Sequence, residues 1–446
     1  MSVLKTFVKG GIHPPDHKLS AGKPIQNLPL PKQITVLVSQ HIGAPPKLLV
    51  KRGDQVKTGQ LLAESGGFVS ANTHSPATGK VAKIDSAMDS SGYRKPAILI
   101  DTEETDEWEE GILTDTVLDK NIQLNGGDII QKIMEKGLVG LGGATFPSHV
   151  KLSVPKGKTA EYLVINGVEC EPYLTADHAL MMEKSDEIMV GIQILMKGVG
   201  VESAIIGIEN NKQDAIEKLT RLAPAYKGIS IQPLKTKYPQ GGEKQLIKAI
   251  LNREVPPGGL PIDVGAVVFN VGTVYASYEA VQKNKPLIER IVTVTGKSVK
   301  EPANFRVRIG TPSTAVLDAA GGLPEDTGKI ISGGPMMGRA IPGTEIPITK
   351  GSSGLLILRN EEAKREKIIA CIRCTKCVQV CPMYLEPYLL QTLSEKDLTD
   401  RMEQERILDC VECGSCSYIC PSNRPLLDYI RLGKSKVTKI IRSRKK

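Results

Sequence analysis

Two cysteine runs with one spacing constrain this chain more than any other feature. Residues 371–382 read CIRCTKCVQVCP and residues 410–421 read CVECGSCSYICP, so the pattern Cys-x2-Cys-x2-Cys-x3-Cys-Pro occurs twice. The runs use all but one of the nine cysteines. Disulfide frameworks belong to small secreted domains, whereas this chain has 446 residues and begins without an apolar export signal. The clustered thiols therefore indicate metal ligands.

The spacing favours two [4Fe–4S] clusters. Three thiolates at x2 spacing cover three corners of a cubane, and in two-cluster ferredoxins the fourth cysteine of each run completes the other cluster. The predicted ligand sets are Cys371, Cys374, Cys377 with Cys420, and Cys410, Cys413, Cys416 with Cys381. Zinc is the alternative, although a third cysteine at the same spacing has no role in a site built from two separated pairs. Residues 382–409 look helical, which predicts an α-helical ferredoxin module.

The N-terminal part predicts a small β domain. Residues 47–84 alternate short β-prone runs with Gly-Asp and Thr-Gly turns. They resemble the biotinyl or lipoyl carrier domain, which presents a modifiable lysine on a hairpin, but no lysine lies between Glu64 and His74. We therefore expect a carrier-like barrel that carries no group. The acidic residues 101–111 are interpreted as a solvated linker that ends it.

The middle of the chain predicts a layered α/β domain. Strand-like runs such as EYLVINGV, ESAIIGIE and VGAVVFNV alternate with helical patterns between residues 112 and 290. Residues 137–152, GLVGLGGATFPSHVKL, are not a Rossmann G-x-G-x-x-G turn because Thr145 replaces the last glycine. A glycine-rich turn can still bring backbone N–H groups to a phosphate, with Lys151 as a point charge. A plain turn is the alternative.

The order of the motifs resembles a known family. GLGGATFPSHVK, INGVECEPYLTADH, YPQGGEKQL with VFNVGTVYA, and the twin cysteine runs occur in this sequence. Over nearly its whole length the chain resembles the RnfC family of the ion-translocating Rnf/Rsx electron transport complex. Its middle also resembles the flavin- and NADH-binding subunit of respiratory complex I, which has a single C-terminal cluster. The N-terminal barrel and the paired runs make the first resemblance the closer one.

The resemblance implies a flavin site and its residues. Three groups would contribute: Gly140, Gly142, Gly143 and Lys151 at the FMN phosphate, Asn166, Glu169 and Asn270 around the flavin, and Tyr238, Gly241 and Glu243 at the nicotinamide side. The complex I pattern has arginine where this chain has Leu141 and an acidic residue where it has Val168. No catalytic acid or base is implied, because the chemistry belongs to the cofactors.

The expected fold class is multidomain α/β. The expected units are a carrier-like barrel-sandwich β domain (1–110), a Rossmann-like FMN- and NADH-binding α/β domain (111–290), a β-grasp domain of the SLBB type (291–345), a helical two-cluster ferredoxin domain (346–432) and a basic tail (433–446).

The expected function is electron transfer between NADH, FMN, two [4Fe–4S] clusters and a partner subunit. The resemblance implies the other Rnf-type subunits as partners, and ferredoxin through the complex. The alternative is a docking and electron-wiring module with a vestigial flavin site. Of the net charge of +9, most comes from nine Lys and Arg residues after Ser422 against Asp428. The near-neutral body argues against nucleic-acid binding.

The apolar stretches predict no transmembrane helix, since all fall short of the roughly 18 residues that a span requires. We expect a peripheral subunit on the cytoplasmic side of the membrane. The basic tail could bind an anionic membrane surface or an acidic partner, or it could be a solvated end.

Overall fold

The computed structural model describes residues 4–444. After a short strand, the N-terminal unit forms two antiparallel sheets in the orders β2-β8-β7-β4 and β3-β5-β6. Alternating side chains point inward, so Ile34, Leu62 and Ile100 meet in a shared apolar core. The strands are β1 (Ile25–Asn27), β2 (Gln33–Leu37), β3 (Lys47–Leu48), β4 (Gln55–Val56), β5 (Leu61–Glu64), β6 (Thr73–His74), β7 (Gly79–Met88) and β8 (Arg94–Thr102).

Two segments of this unit pack on other domains. The tip of the β5–β6 hairpin lies against the next domain, where His149 Nε2 donates to the Phe68 carbonyl at 2.8 Å. The acidic segment, predicted as a solvated linker, instead contacts Arg308, which binds Asp106 at 2.6 Å and stacks on Trp108 at 4.9 Å. Opposite charge and a cation–π contact explain why this segment is not free in solvent.

The second unit is an α/β domain with a four-stranded parallel sheet in the order β11-β10-β9-β12. Its strands are nearly continuous apolar runs because helices cover both faces. The elements are α1 (Gly126–Glu135), α2 (Ser148–Leu152), β9 (Tyr162–Asn166), α3 (Ala176–Glu183), α4 (Ser185–Val199), β10 (Ala204–Glu209), α5 (Gln213–Leu222), β11 (Ile229–Leu234), α6 (Glu243–Leu251), β12 (Ala266–Asn270) and α7 (Val271–Gln282).

The third unit is a six-stranded mixed sheet in the order β1-β14-β13-β17-β15-β16. Its elements are β13 (Glu289–Thr295), β14 (Ala303–Arg308), α8 (Ser313–Ala319), β15 (Thr327–Ser332), β16 (Arg339–Ala340), β17 (Gly354–Arg359) and α9 (Asn360–Ala363). β1 and β17 lie outside the expected range 291–345. β1 pairs with β14 in parallel and covers an edge that would otherwise be exposed.

The last unit is helical and contains both cysteine runs. Its helices are α10 (Lys376–Gln379), α11 (Pro387–Glu395), α12 (Thr399–Gln404), α13 (Ser415–Tyr418) and α14 (Leu426–Arg444). The basic tail, through Arg444, continues α14 rather than forming a separate segment. Val437 is 1% exposed in the core of this unit, and Arg444 binds Glu403 at 2.8 Å. Residues 445 and 446 lie outside the described residues.

Across residues 4–444, no helix combines the length and apolar character needed to cross a bilayer.

Candidate functional site

The strand order of the α/β domain reverses between β9 and β12. Asn166 ends β9, Asn270 ends β12, and the two residues are partners in the register of the sheet. Open α/β sheets bind ligands at the carboxyl ends of their strands, at such a reversal. The two predicted flavin residues therefore stand at the place where this fold accepts a ligand.

The glycine loop between α1 and α2 lies against this edge. A Cβ on Gly142 would be 3.4 Å from the Cβ of Asn270, and Gly143 has a φ of +113° with open space where a side chain would point. An L-residue is disfavoured at that φ, so Gly143 permits the turn. The Gly140 N–H closes the loop by donating to the Phe146 carbonyl at 2.8 Å.

Lys350 holds the start of this loop against the N-terminal barrel. Its Nζ donates to the carbonyls of Asn72 and Gly137, both at 2.7 Å, and so joins the barrel hairpin to the turn after α1. Burial lowers the pKa of Lys350 to about 7. The barrel that resembles a carrier is therefore a support for the glycine loop.

Lys151, on α2, brings a positive charge to the edge. Its Nζ donates to Glu243 Oε1 at 2.7 Å and to the Val268 carbonyl at 3.1 Å. Glu243 begins α6, and its side chain is 39% exposed against 29% for Lys151. An ion pair this exposed adds little stability, so Lys151 can exchange the carboxylate for a phosphate.

Glu169 organises the other side of the edge. Its carboxylate accepts from the N–H groups of Asp177 at 2.8 Å and His178 at 3.1 Å, at the start of α3. Asp177 in turn accepts from Asn270 Nδ2 at 2.6 Å. Burial, and then the Glu169 charge, raise the pKa of Asp177 to about 7. Sequence reasoning did not predict Asp177 as a site residue, although it lies in the motif INGVECEPYLTADH.

The segment 238–241 connects the edge to the cysteine module. The Gly241 carbonyl accepts from Asn166 Nδ2 at 2.8 Å, and its N–H donates to Cys170 Sγ at 3.3 Å. Tyr238 is only 2% exposed, and its hydroxyl donates to the Cys413 carbonyl at 2.8 Å. The phenol of Tyr238 thus contacts a predicted cluster ligand. Burial raises the pKa of the Cys170 thiol, which suits an inert structural cysteine.

The cysteines of the two runs differ in burial. One cavity is lined by Cys381 from the first run together with Cys410, Cys413 and Cys416 from the second. Burial raises the pKa of Cys377, and the nearby Cys420 thiolate raises it further. Cys371 and Cys374 are exposed. The fourth cysteine of each run therefore has neighbours from the other run, as crossed ligation requires.

A zinc site would require a compact arrangement of these thiols. Four thiolates at about 2.3 Å from one zinc would crowd together. Among the described residues, no group of three or more Cys, His, Asp or Glu side chains is close enough to hold a single ion. A cubane takes four thiolates, and four cysteines line the one shared cavity.

Four family models match successive parts of the chain. They are described as RnfC barrel sandwich hybrid domain (residues 6–105), Nuo51 FMN-binding domain (133–279), SLBB domain (291–340) and 4Fe-4S dicluster domain (364–421). The chain is 48% identical over 437 residues to a subunit of the proton-translocating ferredoxin:NAD(+) oxidoreductase complex of Clostridium ljungdahlii, and the match covers 97% of this chain and 94% of that one. The chain belongs to the RnfC family.

Other RnfC proteins agree. The equivalent protein of the Na(+)-translocating ferredoxin:NAD(+) oxidoreductase complex of Acetobacterium woodii is 43% identical, and the match covers 98% of both chains. That of the ion-translocating oxidoreductase complex of Rhodobacter capsulatus is 41% identical, with 87% of this chain and 75% of that one covered. The NAD+-reducing [NiFe]-hydrogenase in its air-oxidized state shares the fold with a TM-score of 0.53 at 16% identity, covering 73% of this chain and 69% of that one. The predicted family and fold class are confirmed.

The two residues that depart from the complex I pattern are buried in this RnfC-family chain. Leu141 is 5% exposed and Val168 is fully buried, so both side chains pack in the core. The backbone of Leu141 still serves the site, since its N–H donates to Thr273 Oγ1 at 2.9 Å and its carbonyl accepts from Arg290 at 3.2 Å. The glycine loop, Lys151 and the paired asparagines fit FMN without either side chain.

Sequence reasoning missed residues that act across long chain separations. Lys18 donates to three carbonyls, those of Glu169, Glu171 and Leu174, at 2.6 to 2.9 Å. No local pattern marks a lysine in the N-terminal segment of an RnfC chain as the support of a loop so far along the sequence.

Proposed function

We propose that this RnfC-family chain is the peripheral electron-transfer subunit of an ion-translocating ferredoxin:NAD+ oxidoreductase, on the cytoplasmic side of the membrane. It passes electrons between NADH and partner subunits through bound FMN and two [4Fe–4S] clusters. Its partners are the other subunits of an Rnf-type complex, and ferredoxin is reached through that complex. The chemistry has no role for a nucleic acid.

One contact carries this proposal. The hydroxyl of Tyr238, in the α/β domain, donates to the backbone of Cys413, in the second cysteine run, at 2.8 Å. A flavin-binding domain and a cluster-binding module therefore touch through buried residues of one chain. Such an arrangement supports direct electron exchange between the two, without a further carrier.

The division of chemistry follows from the carriers. FMN, when bound, exchanges two electrons with NADH and single electrons with iron–sulfur clusters, which makes the chain a two-to-one electron converter. The protein positions the groups: the glycine loop allows close approach of the backbone, Lys151 offers positive charge to the phosphate, and Asn166 and Asn270 border the flavin. Tyr238, Gly241 and Glu243 border the nicotinamide side of the site, and Tyr238 also reaches the Cys413 carbonyl.

The cysteine ligands are proposed as two crossed sets. Cys381 serves with Cys410, Cys413 and Cys416, and Cys420 serves with Cys371, Cys374 and Cys377. The shared cavity around the first set supports this division. Because Cys377 and Cys381 lie on one short segment, crossing holds the two clusters near each other.

Anaerobic purification with flavin and iron counted tests the proposal. We expect one FMN and two [4Fe–4S] clusters per chain, and cluster reduction when NADH is added. FMN released on denaturation separates this function from a docking module with a vestigial flavin site. A chain that binds both clusters but no FMN, and whose clusters NADH does not reduce, would overturn the proposal.

A further inference from the structure

An N-terminal arm, residues 5–12, runs between the α/β domain and the cysteine module. It begins beside the end of β11, where Lys5 pairs with Leu234. It ends beside Tyr238, where the backbones of Ile12 and Tyr238 exchange two hydrogen bonds of 2.8 and 2.9 Å. The arm is thus attached to the α/β domain at both of its ends.

Gly10 and Gly11, near the end of the arm, contact the first run beside its fourth cysteine. The Gly11 N–H donates to the Val380 carbonyl at 2.8 Å. A Cβ on Gly10 would lie 2.7 Å from the carbonyl carbon of Cys381. That distance is shorter than any normal contact, so only glycine lets the arm approach the Cys381 backbone this closely.

Tyr238 contacts the second run from the same place. Ile12 and Tyr238 are 5% and 2% exposed and pack with Cys413 in one small apolar cluster. The Tyr238 backbone pairs with the arm while its hydroxyl donates to the Cys413 carbonyl. Cys381 and Cys413 come from different runs but line one cavity. The arm and Tyr238, which pair with each other, therefore hold both of them.

We propose that the N-terminal arm and Tyr238 are positioning elements for the cluster bound by Cys381, Cys410, Cys413 and Cys416. They fix this cluster's ligand loops against the flavin-binding domain. The inference rests on the proposed function, because it assumes that a cluster occupies the cavity. Without these contacts the module would move as separate domains ordinarily do, and the distance between the carriers would vary.

Gly10, in the arm, and Gly22, beyond its end, form a matched pair for the first test. Gly10 and Gly22 have nearly equal φ values, +75° and +74°, but a Cβ on Gly22 meets nothing within 4 Å. Gly10→Ala and Gly22→Ala therefore add the same backbone strain, and only the first adds a collision with Cys381. A methyl group forced into a packed region destabilises it, typically by enough to make local opening about tenfold more frequent.

Hydrogen exchange of the holoprotein reads this opening directly. We expect the Gly11 and Ile12 amides to exchange about tenfold faster in Gly10→Ala than in Gly22→Ala. We also expect an altered EPR line shape only for the cluster signal that Cys413→Ser removes. Equal exchange in the two variants, or equal changes in both cluster signals, would overturn the proposal.

The second test uses two tyrosines, because Tyr→Phe disturbs folding less than an added side chain in the arm. Tyr238→Phe keeps the ring and removes the hydroxyl, and Tyr226→Phe does the same at a buried tyrosine whose hydroxyl donates to Asp186 at 2.7 Å. Loss of one neutral hydrogen bond changes an equilibrium by about three- to tenfold. We expect Tyr238→Phe alone to shift the midpoint potential of the Cys413-dependent cluster and slow its reduction after flavin reduction. An unchanged potential and rate in Tyr238→Phe would contradict the proposal.

Flavin and iron counts separate a failure of this inference from a failure of the proposed function. A chain without FMN would refute the function, while exchange at Gly11 and Ile12 would still report on the arm. A chain with full flavin and iron whose arm amides exchange alike in both glycine variants would refute only the inference.

Discussion

The two cysteine runs share one backbone conformation but lie in different environments. Two pairs of corresponding positions within the runs adopt the left-handed conformation: Arg373 and Glu412, with φ values of 57° and 57°, and Thr375 and Gly414, with 59° and 77°. A third pair, just after the runs, is Tyr384 and Asn423, with φ values of 58° and 51°. Each run contains a four-residue helix, α10 or α13. Cysteine spacing thus determines the local conformation, whatever lies around it.

The surroundings of the first cysteines of the two runs differ. Cys371 and Cys374 are exposed, and Ile368, Ile369 and Ile372 beside them are 55%, 50% and 63% exposed. Cys413 and Cys416 are each 8% exposed. The second run meets the α/β domain and the β-grasp sheet, while the first run begins at the surface and only its fourth cysteine, Cys381, is buried. The comparison teaches that two similar binding loops can serve an inner and an outer position in one module.

The largest expected difference is in cluster loss. With a chelator under mild oxidation, the cluster whose ligands include Cys371 and Cys374 should be lost first, because solvent reaches those thiolates. We expect half of the iron to leave in a first phase, together with the EPR signal that Cys374→Ser removes. Cys170→Ser, at the one cysteine outside the runs, should lose its iron in the same two phases as the unaltered chain. Simultaneous loss of both signals would break the comparison.

Stability should depend differently on the side chain at the two equivalent left-handed positions, Gly414 and Thr375. A Cβ on Gly414 would lie 2.9 Å from the Met336 carbonyl oxygen. Gly414→Ala should therefore cost roughly 2 to 4 kcal/mol through backbone strain and overpacking. Thr375→Gly, at the exposed equivalent, should change stability by about 1 kcal/mol or less. The temperature at which cluster absorbance disappears measures both, and equal shifts would show that the environments do not matter.

The flavin site lies outside both runs, so weakening it separates electron input from cluster binding. A charge-assisted contact is worth about 1.5 to 3 kcal/mol, so Lys151→Ala should weaken FMN binding roughly ten- to a hundredfold. Both clusters should remain reducible by dithionite but respond poorly to NADH. Lys158→Ala, which removes a pair with Asp263 at 2.9 Å, is the control. Normal FMN retention in Lys151→Ala would exclude this lysine from the phosphate site.

The smallest expected effect concerns α14, which supports the second run. Val437 is 1% exposed in the module core, whereas Leu432 is 60% exposed. Val437→Ala should cost roughly 1 to 2 kcal/mol, since two buried methyl groups are lost, and Leu432→Ala should cost less than about 0.5 kcal/mol. Thermal melting of the holoprotein measures both. Similar melting temperatures would mean that the basic segment adds no support.

Sequence patterns predict the features that depend on nearby residues. The x2 and x3 cysteine spacing, the apolar strands β9 and β12 and the glycine turn are all local, and the family resemblance places Asn166 and Asn270 at one site. The pairing of β1 with β14, the three contacts of Lys18 and the approach of Gly10 to Cys381 join residues far apart in the chain. No periodicity records such contacts, because only the completed fold brings them together. The basic tail looks like a separate segment in the sequence because its many charged residues obscure the apolar pattern to which Val437 belongs.

The most direct test of the account is the sorting of EPR signals by cysteine. In crossed ligation, Cys381→Ser should perturb the same cluster signal as Cys413→Ser, and Cys420→Ser should perturb the same signal as Cys374→Ser. Spectra of the four reduced variants decide this, with iron content measured on each. If Cys381→Ser instead groups with Cys374→Ser, and Cys420→Ser with Cys413→Ser, each run binds its own cluster and the crossed arrangement is wrong.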